Sequence, residues 1–161
     1  LFLTPPSWAK KMKFRGRLFP TSSASQNAGF RLTANGTTFS TAGDYNLNGF
    51  SHDASTTSVS PLNGNLTFTY MLVSGAHTNT VIPILIEGYA EIEVSSSAQN
   101  FTIKSWGSHY GSTPSLVTTE FTNWIVNGKT SALRLDSLTF YNSNGAAWAT
   151  GGTYLDIEWR A

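Results

Sequence analysis

Between Lys11 and Leu18 the chain alternates without a break: Met12, Phe14 and Leu18 fall on one side, and Lys11, Lys13, Arg15 and Arg17 on the other. An extended backbone sends successive side chains to opposite faces, so a segment with this period buries one face only as a β-strand. The pattern recurs. Leu66, Phe68, Tyr70 and Leu72 oppose Asn65, Thr67, Thr69 and Met71, and Ala90, Ile92 and Val94 oppose Glu91, Glu93 and Ser95. Near the end, Thr153, Leu155, Ile157 and Trp159 oppose Tyr154, Asp156, Glu158 and Arg160. Weaker strands are expected over Phe30–Ala34, Thr37–Thr41, Phe101–Trp106, Val117–Val126 and Leu133–Phe140. No window carries a helical period of useful length.

Turn signals separate these segments: Asn35-Gly36, Asn48-Gly49, Asn63-Gly64, Asn127-Gly128, Asn144-Gly145 and Gly151-Gly152. Strands and turns at such short, regular spacing predict an all-β chain, a jelly-roll-like antiparallel β-sandwich. The 161 residues suit one domain spanning residues 1–161. Charged residues are only 12% of the chain, about half the usual share. Ser, Thr and Asn number 20, 21 and 12, together 53 of 161 residues, and supply the wet surface instead. They compete with the helical backbone for hydrogen bonds, which again favours strands and turns.

Several function classes are disfavoured. A net charge of +1 gives no global field toward nucleic acid or membrane, and the absence of cysteine removes thiol and disulfide chemistry. No apolar run approaches the ~20 residues of a membrane span. The opening LFLTPPSWAKK lacks the order of a secretory signal, because its charges follow a short apolar part. His52, His77 and His109 are far apart in sequence and lack metal-ligand spacing, so no metal or other cofactor is expected. Glu91 and Glu93 share a strand face and would suit an acid/base pair, but the same spacing is that of a solvated face. Asp156 and Glu158 form a similar pair, with Arg160 beside them to neutralise it. No nucleophile or phosphate-binding motif occurs, and no catalytic residue is expected. Six of the ten Lys and Arg lie between Lys10 and Arg31. With the aromatics of that strand on its opposite face, this stripe reads as a guard against edge pairing and not as a nucleic-acid contact.

Two segments are candidate sites. Val81–Ile86 reads VIPILI, apolar on both faces, with Pro83 unable to donate to a ladder. An edge strand of that kind needs cover, which makes Val81, Ile82, Ile84 and Ile86 candidates for an oligomer interface. The second is the expected loop Ser105–Pro114, whose Trp106, His109 and Tyr110 sit among small residues, with Trp148 as a second platform. Flat rings flanked by hydroxyl and amide groups suit a sugar; equally, they could close the end of the sandwich or pack across a subunit contact.

At the two ends, the residues point to a family. Pro5-Pro6-Ser7-Trp8-Ala9-Lys10-Lys11-Met12 resembles the Pro-x-Trp-(Val/Ala)-Lys-Arg-(Ile/Met) opening of C-terminal domains on phage tail fibre and tail needle proteins. The stretch Ser131–Phe140, then Asn144-Gly145, Trp148 and Gly151-Gly152-Thr153-Tyr154-Leu155-Asp156-Ile157-Glu158, resembles that family's ending. The likeness covers about fifty residues at the termini, and the family's glycine-rich middle is replaced by a Ser/Thr/Asn-rich one. It implies a homotrimeric knob on a fibrous stem, located on the virion tail outside the cell. Its partner would be a bacterial cell-surface receptor, a polysaccharide among the candidates, and residues 1–7 would be a linker from the stem. The resemblance carries over no catalytic residue. A capsid or decoration jelly roll, or a carbohydrate-binding module of a secreted enzyme, would share these sequence features.

Overall fold

In a computed structural model the chain is an antiparallel β-sandwich; residues 1–56, 59–65, 69–110, 115–126 and 129–161 are described. Among them are twelve strands and no helix: β1 Phe2–Leu3, β2 Lys11–Leu18, β3 Ala28–Ala34, β4 Thr37–Thr38, β5 Tyr45–Asp53, β6 Val59–Asn65, β7 Met71–Leu72, β8 Ile84–Glu91, β9 Thr102–Tyr110, β10 Leu116–Ile125, β11 Ser137–Asn142 and β12 Tyr154–Arg160. One sheet runs β1-β11-β3-β4, with β7 also on β3; the other runs β12-β2-β8-β9-β10-β5-β6.

The alternation of β2 emerges as expected, with Met12, Phe14 and Leu18 buried beneath an exposed or half-exposed row of cations. Opposite it, β3 and β11 turn Phe30, Leu32, Leu138 and Phe140 inward. The two sheets meet through rings: Phe14 lies 5.1 Å from Phe30, edge-on, and Phe30 in turn lies 5.0 Å from its neighbour in the same sheet, Phe140. Two buried polar side chains also cross the gap. Tyr45 on β5 accepts the Leu32 N–H and donates to the Phe39 carbonyl. Asn123 on β10 accepts from the Leu72 N–H at 3.1 Å and donates to the Leu72 carbonyl at 2.8 Å. Burial holds the Tyr45 hydroxyl well above the usual phenol range.

Turn chemistry explains one hairpin directly. Asn35 and Gly36 both have positive φ, 51° and 71°, which the two-residue connection between β3 and β4 requires. Gly145 and Gly152, at φ 73° and 77°, likewise sit in turns as expected, whereas two other expected turns differ. Asn48-Gly49 and Asn63-Gly64 lie inside β5 and β6, where Asn48 pairs with Asn63. Gly49 serves close approach rather than a turn, since a Cβ there would meet the Glu120 carbonyl at 2.3 Å. The Asn127-Gly128 turn lies outside the described residues.

Three further expectations are corrected. Val81–Ile86 is not an edge strand: β8 begins at Ile84 and is paired on both sides, by β2 and β9. Pro83 precedes the ladder and removes no bond from it. Ile84 and Ile86 belong to the core, Ile82 is half-buried, and Val81 and Leu85 stand in solvent. Residues 1–7 are not a free linker, because Phe2 and Leu3 pair with Thr139 and Leu138. The Arg134 guanidinium ties down the next stretch of chain, donating to the carbonyls of Pro6 and Ala9. Of the alternation expected over Asn65–Leu72, residues 66–68 lie outside the described residues. Tyr70, Met71 and Leu72 are all buried, so Met71 does not face solvent.

These placements separate two substitutions. Phe30→Ala removes the ring shared by both sheets and should cost about 3–5 kcal/mol in urea unfolding. Val81→Ala should stay within about 0.5 kcal/mol. A large loss at Val81 would contradict its solvent position.

Candidate functional site

The segment expected as an aromatic loop is strand for its first six residues, since β9 runs to Tyr110; residues 111–114 lie outside the described ones. Its small residues are there for packing. A Cβ on Gly107 would sit 2.0 Å from the Leu85 carbonyl of the neighbouring strand. Alternation then divides the three rings. Trp106 stands on the outer face, 41% exposed, with Tyr110 on the same side and half-buried. His109 points inward and is buried. Trp148 belongs elsewhere: it stacks on Phe140 at 6.3 Å and bridges to Pro20, closing the core at the five-stranded sheet. The four expected ligand residues therefore form no common site.

What surrounds Trp106 is the outer face of the seven-stranded sheet. Register places a row straight across it: Asp156, Arg15, Glu87, Trp106, Glu120, Phe50 and Pro61, one per strand. The next row contains Tyr154, Arg17, Leu85, Ser108, Thr118, His52 and Val59. Phe50, Leu85 and Tyr154 are 42–48% exposed, and together with Trp106 they border a shallow groove of about 580 Å³. Tyr89 braces Trp106 edge-on at 6.1 Å from the row on the other side. Phe50, Leu85, Tyr154, Glu87 and Glu120 escaped sequence reasoning. The only signal for them was an aromatic or leucine at outward parity in several strands, which becomes a patch only once pairing is known.

Three of the four cations of the basic stripe are neutralised within the sheet. Lys11 meets Glu91 at 3.7 Å, Lys13 meets Glu87 at 3.3 Å, and Arg15 meets Asp156 at 3.0 Å. Arg17 lies over the Phe19 ring. Glu158 pairs with Arg160 through two hydrogen bonds, which hold its carboxyl below the usual range. Glu93 goes to Arg134 at 3.1 Å, so Glu91 and Glu93 serve different cations instead of forming an acid/base pair. Aromatics do share the outer face with the cations, contrary to the reading of β2 alone, because they come from neighbouring strands.

A second cluster lies inside. His77 and His109, distant in sequence, are brought together at the end of β9. The Nδ1 of His77 accepts the Tyr110 N–H at 2.8 Å, which leaves Nε2–H to donate to the Asn79 carbonyl at 2.5 Å. His109 packs its ring on Gly75, and its buried Nδ1 has no hydrogen-bond partner among the described residues. Burial, with a smaller contribution from His77, pushes the His109 pKa down to about 4. Burial likewise lowers that of His77. Among the described residues no three His, Asp or Glu side chains converge as metal ligands.

No family model, curated protein or solved structure matches this chain.

The buried histidine has a consequence for acid stability. An unfolded histidine takes up its proton near pH 6.5, whereas folded His109 does so only near 4. Between those values the unfolded chain binds more protons, so stability falls as pH falls, by roughly 2–3 kcal/mol across the window. Urea unfolding at about pH 7 and about pH 5 should show this loss, and His109→Leu should reduce it. An unchanged slope in the folded variant would remove His109 as the cause.

Proposed function

We propose that this chain is a non-catalytic binding domain, the receptor-engaging tip of a phage tail fibre or needle. It takes a saccharide of the bacterial surface on the outer face of its seven-stranded sheet. The observation that carries the reading is Trp106, exposed in mid-sheet and held in register between Glu87 and Glu120. The C–H face of a pyranose stacks on such a ring, and carboxylates at its sides accept the sugar's hydroxyls. Phe50, Leu85 and Tyr154 extend the apolar floor, while Ser108 and Thr118 add neutral hydrogen-bonding groups in the next row. A rigid sheet favours this role because its side chains are already ordered before binding. Terminal resemblance to phage fibre domains supports the tip assignment, and the platform would serve equally in a carbohydrate-binding module of a secreted enzyme.

Trp106→Ala should weaken saccharide or host-cell binding by about 1–3 kcal/mol, the cost of a hot-spot aromatic, with the far-ultraviolet circular dichroism unchanged. Retained binding in that folded variant would remove the platform. A fibre tip also implies three copies: sedimentation equilibrium should give three times 17.4 kDa, and a monomer at tens of micromolar (about 50 μM, well above a working Kd) would count against the fibre reading.

A further inference from the structure

Among the described residues, the carboxylates of the outer face are paired with one exception. Glu87, Glu91, Asp156 and Glu158 each have a cation within 4 Å, on the half of the sheet built from β12, β2 and β8. Glu120, on β10, has no ion pair or side-chain hydrogen bond among the described residues and stands in solvent. Lys104 lies on the same face, one row away and diagonal to it, and makes no ion pair with it. In the cross-sheet row, Glu120 is directly flanked by Trp106 on one side and Phe50 on the other, both exposed. Neighbouring strands lie about 4.8 Å apart, so the two rings rise roughly 10 Å from each other with the carboxylate between them.

A carboxylate flanked by two exposed aromatic residues is complementary to a cation. The rings attract it through their quadrupoles, and the carboxylate supplies the charge-assisted hydrogen bonds. An acidic glycan would meet the opposite situation, with Arg15 and Lys13 already engaged by Asp156 and Glu87. We propose that the saccharide bound here carries a free ammonium group, an amino sugar that is not N-acylated, seated over Glu120 between Trp106 and Phe50. The proposal rests on the saccharide reading of the same face and names its ligand class. A sugar fits better than a lysine side chain because the groove is broad, with an apolar floor beyond the cation subsite formed by Leu85 and Tyr154.

The test uses the intact chain and four probes: glucosamine oligomers, their N-acetylated counterparts, neutral glucose oligomers and a lysine-rich peptide. Calorimetry or immobilised-ligand binding should favour the glucosamine oligomer by roughly tenfold or more over both other sugars. That preference should vanish in Glu120→Gln and weaken as salt rises from about 0.05 M to about 0.5 M. Trp106→Ala should lower binding of all three sugars. Equal, Trp106-dependent binding of the acylated and free oligomers, unaffected by Glu120→Gln, would overturn the ammonium assignment and leave the saccharide platform standing. Tighter binding of the peptide than of the glucosamine oligomer, lost in Glu120→Gln, would overturn it in favour of a protein cation. Failure of every sugar to bind would overturn both readings.

Discussion

Everything in this molecule depends on pressing two apolar sheet faces together. Phe14 from one sheet meets Phe30 from the other, Phe30 meets Phe140, and Trp148 stacks on Phe140 from outside. Burial of such rings is non-directional, so it supplies free energy without choosing how the sheets align. Alignment needs groups with geometry. Tyr45 and Asn123 provide it, each on the seven-stranded sheet and each bonded to backbone of the other. A shift of either sheet would strand a buried hydroxyl or amide without a partner, which costs more than the bond itself contributes.

Fixing the inner face fixes the outer one, because a strand that turns Met12 and Phe14 inward must turn Lys13 and Arg15 outward. Pairing then decides which outward residues meet. Lys13 finds Glu87 and Arg15 finds Asp156 only because β2 lies between β12 and β8. Exposed pairs of this sort stabilise little, yet they remove net charge from half the face. The other half carries Trp106, Glu120 and Phe50 among neutral hydroxyls. The low charge of the whole chain thus has a local meaning: a sheet surface on which, among the described residues, a single unpaired carboxylate stands out.

The interior holds a contrasting use of polar groups. His77 uses one ring nitrogen on the end of β9 and the other on the Asn79 carbonyl, whereas His109, beside it, is buried with a nitrogen that has no partner among the described residues. A neutral imidazole tolerates that place; a protonated one does not.

Much of the fold was legible in the residues. The alternation over Lys11–Leu18 and over Tyr154–Arg160 named both strands and their buried faces, and Asn35-Gly36 named its turn, because these signals are local. The candidate site was only partly legible. Trp106 was found, but as part of a loop; His109 proved to be buried and Trp148 to pack half-buried against the core; Val81–Ile86 proved to lead into a central strand. The failures share a cause. Small residues at Gly107 and Gly49 look like turn formers until a neighbouring backbone is seen to need their missing Cβ, and VIPILI looks like an edge until both neighbours are known. By itself, then, the sequence determined that this chain folds as a β-sandwich and which side of its strongest strands is buried, since period two acts within each strand. Tertiary structure alone decided that Trp106, Glu120 and Phe50 stand side by side and that Glu120 has no cation among the described residues. Those facts are set by register between strands dozens of residues apart, and no local pattern encodes it.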